Sequence, residues 1–142
     1  MSSSISVANR QRTVRVDLAA LRDFAKNALD ACLDLRQRKS SRLADLGEVN
    51  VILVSDKNIA EIHKEFMNES GPTDVITFQH GEIVISAQTA KRQARRFGST
   101  LGHELRLYIV HGLLHLHGFD DKTAVGAVEM RRVQEKLVAS LP

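Results

Sequence analysis

Two short runs rich in β-branched residues, Val49 to Val54 and Glu82 to Ile85, constrain this chain most, because apolar residues recur at helical spacing in the segments around them. Upstream, Arg12 to Val16 alternates enough to predict a first strand, and Asp17 caps a helix whose Leu21, Phe24, Ala28, Cys32 and Leu35 share one face. A polar, basic stretch from Arg36 to Asp45 reads as a loop. Ser55 is a cap for a helix presenting Ile59, Ile62 and Phe66, and Asn68-Glu69-Ser70-Gly71-Pro72 after it is turn chemistry. Gln79-His80-Gly81 separates the strand Thr73 to Phe78 from Glu82 to Ile85, a spacing that suits a hairpin or a strand ending at a site. Ser86 then opens a helix with Ala87, Ala90, Ala94 and Phe97 inward. A more apolar helix runs from Leu101 to His117, and a last one carries Val125, Val128, Val133 and Leu137. The order β-α-β-α-β-β-α-α-α predicts an α+β fold, a mixed four-stranded sheet covered by helices, with no domain boundary within residues 1–142.

Composition removes several classes. At 142 residues, 43% hydrophobic and 26% charged, the chain is neither disordered nor fibrous, and no apolar run approaches the roughly 20 residues that span a bilayer. The single cysteine, Cys32, makes no internal disulfide and sits on the apolar helix face, so it reads as core and not as a nucleophile. Without the apolar core of a secretory leader at the start, the expected compartment is the reducing cytoplasm. A net charge of +3 favours a polyanionic partner only mildly. Lys91, Arg92, Arg95 and Arg96 on one helix face are the best candidates for a phosphate-tracking surface, against the plain reading of a solvated helix face.

Chemistry concentrates in His111-Gly112-Leu113-Leu114-His115-Leu116-His117-Gly118-Phe119-Asp120-Asp121. Residues four apart on a helix are offset by about 40°, so His111 and His115 aim their rings the same way and can share one metal ion. Gly118 releases the chain from the helix, which lets Asp121 fold back as a third ligand and leaves a coordination position open for hydrolytic chemistry. His117 falls off that face and reads as a packing residue. Asp120 is a competing ligand or a proton acceptor, and Glu82 is the other candidate acceptor. Peptidases with such histidine pairs carry a glutamate directly after the first histidine; here Gly112 stands there, which disfavours peptidase chemistry.

These residues resemble the YbeY family of metal-dependent endoribonucleases of ribosomal RNA maturation, whose signature string His111 to Asp120 follow position by position. Pro72-Thr73-Asp74-Val75-Ile76-Thr77-Phe78 and Gly81-Glu82-Ile83-Val84-Ile85-Ser86 are similar to two strands of that family. The resemblance implies a cytoplasmic enzyme that cuts single-stranded RNA with one divalent ion, zinc, and acts with ribosomes on the 3′ end of small-subunit ribosomal RNA. It assigns His111 and His115 as ligands. The family's third ligand is histidine, where this chain has Asp121; Met67 replaces an arginine, and His63 an asparagine. Those departures keep open a non-catalytic RNA- or ribosome-binding relative, and the aspartate offset keeps open a metallopeptidase.

Overall fold

A computed structural model describes residues 3–36, 38, 40–67 and 74–142. The elements are β1 (Ser4–Asn9), α1 (Leu18–Asp34), a 3-10 turn (Leu43–Asp45), β2 (Glu48–Val54), α2 (Asp56–Met67), β3 (Val75–Phe78), β4 (Glu82–Ser86), α3 (Ala87–Arg96), α4 (Leu101–Leu116) and α5 (Ala124–Ser140). The sheet order is β1-β2-β4-β3; β1 and β4 run parallel to β2, and β3 returns antiparallel to β4. The α+β architecture and the mixed four-stranded sheet are as the element order predicts, and the Gln79-His80-Gly81 spacing closes a hairpin. The Asn68-to-Pro72 turn and Thr73 lie outside the described residues.

The first strand is not where alternation puts it. Gln11, itself buried, donates from Nε2 to the Val14 carbonyl at 2.7 Å and accepts from the Val14 N–H at 2.8 Å. This side chain closes residues 11–14 into a turn, and the strand is Ser4–Asn9, paired along its length with β2.

Strand alternation divides the core in two. Val51, Leu53, Ile83 and Ile85 face the main cluster, built with Leu21, Phe24, Ile109 and Leu113 from α1 and α4. Val54, Ile76 and Val84 face the other way and are covered by Ile59 of α2. The central helix is α4, buried along most of its length, as its apolar sequence requires. It lies very close to the sheet at Gly112, where an added Cβ would come 2.7 Å from Ile83 Cδ1.

Two predicted inward faces differ from the structure. Phe97 caps the C-terminus of α3 and is 67% exposed. On α5, Val133 and Leu137 pack against the core as expected, beside Met130 and Val138, whereas Val125 and Val128 in the first turns are exposed. Phe66 is exposed as well and meets Phe78 edge-on at 5.5 Å. Cys32 is fully buried, and burial pushes its thiol up to about 12, which leaves it the inert core residue expected.

Candidate metal centre

The C-terminal half of α4 carries both imidazoles. His111 and His115 lie one turn apart, with ring centroids separated by 4.6 Å and Nε2 atoms 3.0 Å apart. The helix ends just beyond them in a Schellman motif. The Phe119 N–H donates to the Leu114 carbonyl at 2.9 Å and the Gly118 N–H to the His115 carbonyl at 3.1 Å, with Gly118 at φ +96°. This turn brings the following residues back over the helix end. Asp121 lies with Oδ2 3.9 Å from His111 Nε2 and Oδ1 4.0 Å from His115 Nε2. One ligand atom from each of the three residues falls within 4.8 Å of the other two.

Outer partners fix which nitrogen faces the cluster. His111 Nδ1 lies 2.8 Å from Gln134 Oε1, and His115 Nδ1 lies 3.2 Å from the Phe119 carbonyl oxygen. An amide oxygen and a carbonyl oxygen only accept, so both Nδ1 atoms carry the proton and both Nε2 lone pairs point to the same place. Two lone pairs 3.0 Å apart with a carboxylate beside them form a donor set suited to one cation. Two neutral nitrogens and one carboxylate fit a divalent ion of the zinc class. Burial first, and the facing His111 next, push His115 below its ordinary value against the opposing pull of Asp121, the Phe119 carbonyl and Asp120. The neutral form needed of a ligand is therefore the favoured one.

Other sequence candidates divide. Asp120 is exposed, accepts from the Lys122 N–H at 3.1 Å through Oδ1, and lies within electrostatic reach of His115. Glu82 is separated from the cluster: it lines a groove with Ile52, Val84 and Ile62 on the α2 side of the sheet, while its neighbour Ile83 faces α4. A shift of one residue along a strand changes the face, and that parity removes Glu82 as a proton acceptor here. His117 is a packing residue, as expected: it is 2% exposed, accepts from Ser41 Oγ at Nδ1 (3.0 Å) and donates from Nε2 to the Leu35 carbonyl (3.1 Å). Gly112 faces the sheet, so the position of the peptidase glutamate has no room for a side chain.

Lys91, Arg92, Arg95 and Arg96 are all exposed on α3, and none lines the grooves that contain His111. Arg92 is engaged: Nη1 lies 2.5 Å from Asp56 Oδ2, while Ser86 and Thr89 donate to Oδ1 at 2.6 and 2.7 Å. Partial burial pushes the Asp56 carboxyl up, but hydrogen bonds from Arg92, Ser86 and Thr89 together outweigh it and bring the group down to about 2. His63 and Met67 both lie on α2, Met67 as its last residue and 45% exposed.

Gln134 is the functional residue that sequence reading did not single out. Its only signal is its place on the core-facing stripe of α5, one turn after Met130. Two grooves open beside the cluster. One is lined by His111, Asp121, Arg131 and Gln134, the other by His111, His115 and β3-side residues Val75, Thr77 and Gln79.

Comparison with known proteins agrees with this geometry. The family model described as endoribonuclease YbeY matches residues 6–142. A Frankia alni protein named endoribonuclease YbeY is 32% identical, covering 96% of this chain and 82% of its own. One of the same name from Thermobifida fusca is 35% identical, covering 96% of this chain and 92% of its own. The solution structure of a Thermotoga maritima protein superposes with a TM-score of 0.66 at 30% identity, covering 95% of this chain and 87% of the other. The signature on α4, the fold around it and this similarity over almost the whole length establish that the chain belongs to the YbeY family of endoribonucleases.

Proposed function

We propose that this protein is a metal-dependent endoribonuclease that hydrolyses single-stranded RNA and acts in the cytoplasm on ribosomal RNA, at the 3′ end of the small-subunit species, in association with ribosomes. The observation that carries the metal-dependent part is the convergence of His111 Nε2, His115 Nε2 and an Asp121 oxygen on one point. His111, His115 and Asp121 would hold one zinc ion. When bound, such an ion stabilises negative charge on phosphoryl oxygens and acidifies water.

The chain's own residues do the rest. Gln134 and the Phe119 carbonyl hold the imidazoles in the ligating tautomer. Asp120, exposed beside Asp121, is the proton acceptor. Arg131, lining the groove with His111 and Asp121, offers a guanidinium to a phosphate. Lys91, Arg95 and Arg96 add exposed positive charge on α3, which favours a polyanion at a distance.

The test is incubation of zinc-loaded protein with an unstructured RNA and with a hairpin. Internal cuts are expected in the unpaired RNA, with loss of cutting on chelation and in His115→Ala. Cutting that survives both treatments overturns the metal-dependent reading.

A further inference from the structure

Leu35, Ser41 and Arg42, in the basic stretch between α1 and β2, have no part in the site described above, yet they hydrogen-bond to the end of α4 that carries it. His117 ties both ends of the segment to α4 through Leu35 and Ser41, and the Arg42 N–H donates to the Leu116 carbonyl at 2.8 Å. A Cβ on Gly118 would lie 2.8 Å from Arg38 Cβ, so glycine permits the close approach of the two turns. Between this segment, the Gly118-Phe119 turn and α5 opens a cleft of about 640 Å³.

Three arginines line that cleft: Arg36 and Arg38 from the segment, and Arg132 from α5. Only one carboxylate, Glu129, opposes them among the described lining residues. Arg38 is fixed from two sides, with Cζ 3.8 Å from the Phe119 ring centroid and Nη2 2.6 Å from Glu129 Oε1. Arg36 and Arg132 are exposed and, among the described residues, have no ion pair. Phe119 joins the cleft to the metal centre: its ring supports Arg38, and its carbonyl oxygen accepts from His115.

We propose that this cleft is a second anchor for the RNA substrate, binding backbone phosphates of the strand on the far side of the Phe119 turn from His115. The inference rests on the endoribonuclease reading. Guanidinium forks match phosphate oxygens in pairs, and three cations from two elements in one concave site suit a polyanionic backbone. The lone carboxylate makes the site self-limiting, because Glu129 occupies the Arg38 fork that a phosphate would otherwise take.

The experiment measures binding of a labelled single-stranded RNA to zinc-loaded protein by fluorescence anisotropy over a salt series, with cleavage and metal content measured in parallel. The Arg36→Ala/Arg132→Ala double variant is expected to weaken binding by about fivefold or more and to flatten the log–log salt slope by about 1.4, the share of two phosphate contacts on a single strand. Its KM for RNA rises and its metal content stays at the wild-type level. Glu129→Gln, which frees Arg38 and removes the opposing charge, is expected to tighten binding. A double variant that keeps the wild-type affinity and slope overturns the proposal, as does a Glu129→Gln variant that binds RNA more weakly. Failure of the underlying reading is distinct: wild type would then bind RNA without cutting it, whatever the arginine variants do.

Discussion

At His115, burial and the facing His111 keep the imidazole neutral, while the Phe119 carbonyl aims its free lone pair. The sign of the pH effect follows. With the folded value below the ordinary 6.5, the unfolded chain binds more protons just below that pH. Stability of the ion-free protein is therefore full above pH 6.5 and falls as the pH drops below it, a trend that denaturant titrations across pH 5 to 8 will show. Gln134 acts through His111 and not on the ion itself. Gln134→Ala is expected to lower zinc affinity by about 10- to 100-fold with the fold intact, read by competition with a chromogenic chelator alongside circular dichroism. Asp121→His should retain the ion, since the half-exposed position has room for an imidazole and the Gly118 turn already directs it inward.

At the scale of elements, α4 is both the central packing helix and the carrier of the ligands, so its seat on the sheet controls the site. Gly112→Val would drive methyl groups into Ile83 and should destabilise the protein by about 1–3 kcal/mol, measured as a lower denaturation midpoint at unchanged slope. How much of this was legible in the sequence depends on how local the cause is. The His111 and His115 pairing, the Gly118 stop and the return of Asp121 all lie within one turn and one loop, and spacing alone reads them. The hydrogen bond from His111 to Gln134 bridges two helices, and periodicity places a residue on a stripe without naming its partner. Helical spacing on α5 put Val125, Val128, Val133 and Leu137 together; the structure packs Val133 and Leu137 on the core beside Met130 and Val138 and exposes Val125 and Val128, because spacing does not show how far along the helix the core extends. Ser4 to Asn9 and Arg12 to Val16 carry the same alternation, Ile5 and Val7 against Val14 and Val16, and pairing with β2, which local pattern does not show, decides between them. Glu82 shows the same limit from the other side: alternation is visible in sequence, but not which parity faces α4.

For the whole molecule, the order β1-β2-β4-β3 leaves β3 at an edge, and the ligands on α4 open beside it in a groove lined by Thr77 and Gln79. The departure at Met67 bears on how much cutting the architecture supports. If the arginine that the family resemblance implies at this position adds a phosphate contact, Met67→Arg raises cleavage of single-stranded RNA above wild type without changing zinc content; a rate equal to wild type contradicts that expectation. The central claim is that His111, His115 and Asp121 together hold one ion. The most direct measurement is metal content per chain, by mass spectrometry of native protein, for wild type, His115→Ala and Asp121→Ala. The account predicts near-stoichiometric zinc in the wild type and its loss in both variants; a wild type that takes up no metal when zinc is supplied, or an Asp121→Ala variant that keeps its full complement, contradicts it.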